Sequence, residues 1–375
     1  MNDFSIDMLT NQENKADIFL KICSEALEKE KKPIILLGSG IIGEFYLSYI
    51  KEIEMDVEIL FCDNDPIKWG TYINGILVIS FEELIQRYRD SYFIISSFNY
   101  YDELNTQLSN YALEPLVKLK KNEIFVDDYD FYFKFKNYKK VIENNLLKFK
   151  QVYDLLEDEE SRRIFIDRIN YCISLNSNFL APLRSQSPQY FEEGIISLND
   201  DEIFIDGGGC IGETVKEFVD QTGGQYRKIY SLEPETVKHK EYSKRVFMDE
   251  KIEIVPMGLW NKRSKLKFVG RNSGTSSISP NGNMEVDVIS IDELLHGSEA
   301  TFIKMDIEGS EMKALIGAQN TIETYRPKLG ICIYHEPLDI VDIPLYIKGL
   351  VPEYKIYMRH YNYGSSETVC YAISI

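Results

Sequence analysis

Three stretches of this 375-residue chain set backbone freedom and acidic side chains directly after an apolar run. In the first, EIFI runs into Asp206, Gly207, Gly208, Gly209, Cys210, Ile211 and Gly212. Glycines let a backbone pass close to a flat ligand, and a helix starting just beyond them offers unpaired N–H groups. Asp206, at the expected strand end, would meet the amino or ribose groups of that ligand. In the second, KIYSL ends in Glu233 and Pro234, with Glu233 27 residues after Asp206, about one helix plus one strand. An acid in that place grips the two hydroxyls of a ribose. In the third, TFIKM runs into Asp306, Ile307, Glu308 and Gly309 before a helical stretch. Asp306 would lie at the carboxyl end of a strand, where α/β sheets hold ligands, or cap the following helix. S-adenosylmethionine has no pyrophosphate, so an acid at the head of the glycine turn suits it better than NAD.

A further glycine turn stands near the N-terminus. Gly38, Gly40 and Gly43 form G-x-G-x-x-G after an apolar run and before a helix, and Asp63 follows 20 residues after Gly43. That context satisfies the dinucleotide fingerprint, with the glycines toward a diphosphate and Asp63 toward a ribose. The second mononucleotide-binding half of a full dinucleotide fold is not visible. This unit would hold a nucleotide-sugar or scaffold a homodimer.

The elements that must position these residues alternate. PIILLG, VEILFC, ILVIS and YFIIS are short apolar runs separated by helical or turn-rich stretches, a pattern that needs a parallel sheet. A smaller Rossmann-like domain is therefore expected over residues 1–125. From 126 to 200 the strands stop, and a charged, amphipathic stretch reads as a helical connector with Leu147, Phe149, Val152, Leu155 and Leu156 on one face. The stretch APLRSQSPQYF after it reads as an ordered loop. A second alternation over 201–375 runs through EIFID, KIYSLEP, IEIVPMG, EVDVIS, TFIKMD and KLGICIY. EYKIYMRHY and TVCYAIS flank the turn NYGSSE and read as an antiparallel hairpin at the sheet edge.

Composition narrows the partners. Sixty acidic against 42 basic residues give a net charge of -18, a field that repels phosphate backbones and anionic lipid, so neither nucleic acid nor a membrane surface is expected. No apolar run approaches the roughly 18 residues that span a bilayer, and the opening MNDFSIDMLTNQENK has no secretory pattern, which predicts a cytoplasmic protein. The six cysteines are scattered without a CxxC, which predicts buried free thiols.

Taken in order, FIDGGGCIGET, YSLEP, FIKMDIEGSE, ALIGA and RPKLGICIYH resemble the FkbM family of methyltransferases over roughly residues 180–375. The resemblance implies a class I methyltransferase fold, a mostly parallel α/β sheet with a terminal antiparallel hairpin, and S-adenosylmethionine as methyl donor, leaving as S-adenosylhomocysteine. It implies O-methylation of a sugar, nucleotide-sugar, glycan or natural-product hydroxyl, as in polysaccharide biosynthesis. Asp206, Gly208 and Gly212 would hold the methionine end and Glu233 the ribose, while Asp306 and Glu308 would face the reaction. The family usually shows D-x-G-A-N-x-G, whereas Gly209 and Cys210 stand here at the Ala and Asn positions.

A sugar hydroxyl is hardly ionised at neutral pH, so a base helps by roughly 10²- to 10⁴-fold. Among His239, His296, His335 and His360, His335 follows the strand LGICIY and would lie beside Asp306. It is the first choice for the base, with His360 second and Asp306 the non-histidine alternative. Asp306, Glu308, Glu336 and Asp339 would offer oxygens to a cation, but no compact ligand spacing points to one, and no metal is expected. Lys304, in an otherwise apolar strand, should pair with a carboxylate. Two other readings stand: an NAD-dependent sugar-nucleotide dehydrogenase or epimerase using the N-terminal turn, or an inactive nucleotide-binding partner protein. Against the first, the only Tyr-x-x-x-Lys after that turn is Tyr132 to Lys136, beyond the domain.

Overall fold

The computed structural model describes residues 4–54, 56–118, 127, 129–246, 249–270, 277–279, 282 and 284–374. The expected boundary between residues 125 and 126 lies outside them. Among the described residues the strands form three sheets.

The N-terminal unit carries α1 (Lys15–Lys29), β1 (Ile34–Leu37), α2 (Ile41–Lys51), β2 (Ile59–Cys62), β3 (Tyr72–Ile73), β4 (Ile76–Ile79), α3 (Phe81–Arg87), β5 (Tyr92–Ile95) and α4 (Tyr101–Ser109). Its sheet order is β3-β4-β2-β1-β5, parallel except for the short edge strand β3. Every residue of β1 is buried, as a parallel strand covered on both faces requires.

Four helices follow: α5 (Tyr129–Phe135), α6 (Tyr138–Asn144), α7 (Leu146–Leu155) and α8 (Glu159–Ser174). Phe149, Val152 and Leu156 are buried, whereas Leu147, expected on the same face, is 70% exposed. Positions 149, 152 and 156 follow the helical i, i+3, i+7 stripe, and 147 falls two residues off it. These helices cover the C-terminal sheet: Phe149, Ile164 and Phe165 share one core with Ile356 and Met358.

The C-terminal part comprises β6 (Ile203–Gly207), α9 (Glu213–Gln221), β7 (Lys228–Leu232), α10 (His239–Arg245), β8 (Ile252–Val255), β9 (Gly258–Leu259), β10 (Ser264–Val269), β11 (Ser277–Ile278), β12 (Met284–Ile289), α11 (Ile291–Leu295), β13 (Phe302–Met305), α12 (Glu311–Ile316), α13 (Gln319–Tyr325), β14 (Lys328–Cys332), α14 (Asp339–Leu350), β15 (Lys355–His360) and β16 (Thr368–Ile373). Its main sheet has the order β15-β16-β14-β13-β6-β7-β8. The run from β14 to β8 is parallel, and β16 is antiparallel to both neighbours. The chain leaves β6 toward β7 on one side and returns to β13 on the other. Such a switch opens a crevice beyond the carboxyl ends of β6 and β13, the ends that carry Asp206 and Asp306.

EVDVIS departs from the expected place. It forms β12 in a separate sheet of order β11-β10-β12-β9. Alternating exposed and buried residues along β10 and β12 mark a sheet with one wet face, unlike the continuously buried β6. This small sheet walls the crevice with Phe268, Ile278 and Val286.

Candidate active site

Beneath the glycine turn lies a buried ion pair. Lys304 sits opposite Asp206 in the register of β13 on β6, and its Nζ is 3.0 Å from Asp206 Oδ1. The Ser231 hydroxyl donates to Asp206 Oδ2 at 2.7 Å. Lys304 Nζ also donates to the carbonyls of Gly207 and Gly208, at 3.0 Å each. The expected carboxylate partner of Lys304 is thus Asp206. The expectation that Asp206 meets the ligand is corrected: its side chain is fully buried, and it holds the turn from below.

The turn is glycine for want of space. Gly208 has φ +82, and a Cβ there would come 2.0 Å from the Asp306 carbonyl oxygen. A Cβ on Gly209 would lie 2.2 Å from Ser231 Oγ, so the serine hydroxyl fills the volume an alanine methyl would need.

A cleft of about 710 Å³ opens above the turn. Of the residues expected to bind a cofactor, Gly208, Gly209, Glu233, Pro234 and Asp306 line it, with Glu308. Asp206, Gly207, Ile211 and Gly212 do not. Gly207 points its backbone into the packing against Leu259, and Gly212, at φ +82, starts α9 beneath Tyr242. Glu233 is buried, and its two oxygens accept from the amides of Cys210 at 2.9 Å and Glu235 at 2.8 Å. Burial raises its pKa despite those amides and Lys238. The cleft also takes Tyr190, Tyr334, Lys238 and Glu367, none of which the motifs point to.

At the far end of the cleft the third motif meets the end of β14. Glu308 (φ 56) and Gly309 (φ 90) turn the chain sharply between β13 and α12. The hydroxyls of Tyr190 and Tyr334 donate to Asp306 Oδ2 at 3.0 Å and Oδ1 at 3.1 Å. His335 Nε2 lies 3.6 Å from Asp306 Oδ1 and 3.5 Å from Glu308 Oε2, and Nδ1 lies 3.0 Å from Glu311 Oε1. Burial alone would lower the imidazole pKa, but Glu311 first, then Asp306 and Glu308, lift it to about 10. A protonated ring has no lone pair to offer, which corrects the choice of His335 as base. Burial would raise Asp306, yet His335, Lys304 and the two tyrosine hydroxyls hold it below the usual carboxylate range. Burial pushes Glu308 up to about 7, against the pull of His335. Glu308 is therefore the member whose basicity suits proton removal near neutral pH.

The remaining expectations scatter. His360 is fully buried, with Nδ1 2.9 Å from Thr368 Oγ1, and does not line the cleft, so it is no alternative base. His239 is half-buried, with Nε2 2.8 Å from the Glu233 carbonyl oxygen, and His296 is exposed at the end of α11. Glu336 pairs with Lys134 at 2.5 Å, and Asp339 accepts from the Glu336 amide at 2.9 Å. All six cysteines are free.

Gly38, Gly40 and Asp63 line a second cleft of about 530 Å³ in the N-terminal unit. Gly43 packs instead against β1, where a Cβ would come 2.3 Å from the Gly38 carbonyl oxygen. Asp63 Oδ2 accepts from the Ser39 amide and hydroxyl and pairs with Lys68 at 2.9 Å, while Oδ1 accepts from the Asp65 amide. Asp63 thus organises the turn from the wall of the cleft. Tyr132 donates to Asp17 and is not among the residues lining this cleft, so the Tyr132 to Lys136 pair makes no dehydrogenase site.

Residues 206–363 match the family model of the methyltransferase FkbM domain. These residues form an FkbM methyltransferase domain. The protein is accordingly a methyltransferase enzyme, and the Gly208 turn, Glu233 and the Asp306 cluster all fall inside that domain. A crystal structure of methyltransferase FkbM from Methylobacillus flagellatus KT is similar over 95% of this chain and 99% of its own, with a TM-score of 0.68 at 20% identity, a likeness of fold. Aeropyrum pernix fibrillarin in complex with natively bound S-adenosyl-L-methionine covers 48% of this chain and 71% of its own, at TM-score 0.31 and 14% identity. UDP-D-quinovosamine 4-dehydrogenase from Vibrio fischeri covers 23% and 75%, at TM-score 0.20 and 20% identity. The last two scores are too low to support a structural argument. No curated protein matches the chain. Among the described residues, no helix is long and apolar enough to cross a membrane.

Proposed function

We propose that the FkbM domain uses S-adenosylmethionine to methylate a hydroxyl of a sugar, nucleotide-sugar, glycan or natural-product acceptor. The observation that carries this reading is one cleft joining the Gly208 turn and Glu233 at one end to Asp306 and Glu308 at the other, with His335 beside them. Its walls hold Glu213, Glu217, Glu233, Glu235, Asp306, Glu308 and Glu367 against Lys238 and Lys304. An acidic cleft draws in a cationic ligand and repels a pyrophosphate, which favours a sulfonium donor over NAD.

S-adenosylmethionine would supply a methyl group on a positively charged sulfur that leaves as a neutral thioether. Glu233 would hold the ribose hydroxyls, and the amides of the glycine turn would face the nucleoside. Asp306, kept ionised by His335 and Lys304 and held by the Tyr190 and Tyr334 hydroxyls, orients the acceptor. Glu308 takes the acceptor's proton as its oxygen forms the bond to the methyl carbon and the carbon–sulfur bond breaks. Holding the two reactants in line can supply about 7 to 11 kcal/mol.

Calorimetric titration of the full chain with S-adenosylmethionine, S-adenosylhomocysteine and NAD tests the reading. Binding of the first two, lost in Glu233→Ala, is expected. A clear NAD signal with neither of the others bound would overturn it.

The N-terminal cleft supports a second, separate binding role. Its glycine turn lies at the carboxyl ends of β1 and β5 and leads into α2, the place where α/β folds hold a diphosphate on backbone amides. Titration of the full chain with UDP- and GDP-sugars should give a signal that Gly40→Asp abolishes. Silence for every nucleotide tried would leave the unit as a scaffold.

A further inference from the structure

His335 is held in a way that an acid–base role does not require. Its side chain is 8% exposed, and among the described residues Nδ1 has no partner in hydrogen-bond geometry and neither does Nε2. That nitrogen instead faces Asp306 Oδ1 and Glu308 Oε2 at 3.6 and 3.5 Å, too long for hydrogen bonds. One ligand atom from each of the three residues lies within 4.8 Å of the others. Two donors each about 2.0–2.2 Å from one ion sit roughly 3 to 3.6 Å apart at octahedral or tetrahedral angles, and Nε2 stands at 3.6 and 3.5 Å from the two carboxylates.

The surroundings repeat the pattern of a metal-bound imidazole. Nδ1 faces Glu311 Oε1 at 3.0 Å, and that oxygen also accepts from the Ile307 amide at 2.8 Å. Without a cation the ring is protonated, so a binding ion displaces the Nε2 proton; the carboxylate behind the histidine then keeps the other proton on Nδ1 and the Nε2 lone pair faces the ion. Tyr190 and Tyr334 orient Asp306 in the same manner. Glu336 and Asp339, the other nearby acids, are engaged elsewhere.

We propose that Asp306, Glu308 and His335 bind a first-row divalent cation of the Mn²⁺ type at the reaction end of the cleft. Two carboxylates and one imidazole suit such an ion better than calcium, which takes six or more oxygens. The role of the ion rests on the methyl-transfer reading: an acceptor hydroxyl coordinated to it gives up its proton more readily. The proton passes to the unbound oxygen of Glu308, the hydroxyl's electron pair forms the bond to the methyl carbon, and the carbon–sulfur pair stays on sulfur.

The test is an electron paramagnetic resonance titration of the chelator-stripped full chain with Mn²⁺, beside calorimetry with S-adenosylmethionine on the same preparation. One Mn²⁺ per chain is expected. Glu308→Gln and His335→Gln should weaken it at least about tenfold, while Glu336→Gln binds as the wild type does. If His335→Gln fails to fold by circular dichroism, Glu308→Gln decides. No bound Mn²⁺ at millimolar concentration, or undiminished binding in Glu308→Gln, overturns the site. S-adenosylmethionine binding to a chain that takes up no Mn²⁺ would sink the metal alone; Mn²⁺ uptake by a chain that binds no S-adenosylmethionine would sink the donor and keep the metal.

Discussion

Asp206 and Lys304 face each other at 3.0 Å across β6 and β13, and both are buried. The first glycine motif and the third acidic motif are therefore one structural unit, joined under the floor of the cleft. Removing one member leaves the other charged and unpaired in the interior. Lys304→Met should cost about 3–5 kcal/mol in denaturant unfolding. A loss of under about 1 kcal/mol, the range of surface pairs, would show that the pair does not hold the turn.

Gly209 and Ser231 compete for one volume. Gly209→Ala should destabilise the protein, because its methyl group would lie 2.2 Å from the Ser231 hydroxyl oxygen. Adding Ser231→Ala removes that oxygen and should recover most of the loss, a coupling of roughly 0.5–3 kcal/mol in a double-mutant cycle. Additive losses would mean the clash is relieved elsewhere.

Glu233 is the cofactor-side residue whose loss should spare the fold more than the binding. Hydrogen bonds to a charged group contribute about 1.5–3 kcal/mol, so Glu233→Ala should weaken S-adenosylmethionine by roughly 10- to 150-fold in calorimetry. Unchanged affinity would move the ribose contact to another side chain.

His360 makes stability pH-dependent. Burial, and then the charge of Arg168, push its pKa down to about 3 from an ordinary 6.5, so the folded protein holds it neutral while the unfolded chain protonates it. Its contribution is complete above pH 6.5 and is lost as pH falls from there toward about 3, by up to about 5 kcal/mol. Thermal unfolding of His360→Gln between pH 6.5 and 4 should therefore fall less steeply with acid than that of the wild type. Parallel slopes for the two proteins would assign the acid sensitivity to other groups.

Local chemistry made much of this protein legible in one dimension. A glycine turn after a continuously buried strand announces itself because only glycine tolerates Gly208's positive φ and the 2.0 Å approach of the Asp306 carbonyl. The run into Asp306, Ile307, Glu308 and Gly309 reads the same way, and the alternation of apolar runs implies a parallel sheet. What the line of residues left undecided depends on contacts between distant segments. EVDVIS is a strand by pattern, but its alternating polar residues place it in the small wet-faced sheet rather than the core sheet. Tyr190 reaches Asp306 from 116 residues away, out of a loop with no motif. Asp206 looks like a ligand contact and is a buried counter-ion, because the register of β13 on β6 sets Lys304 opposite it. His335 was recognisable as a neighbour of Asp306, but its proton was not. That depends on Glu308 and Glu311 converging on the ring, and a pKa is set by the summed field and burial of the folded site rather than by position in the chain.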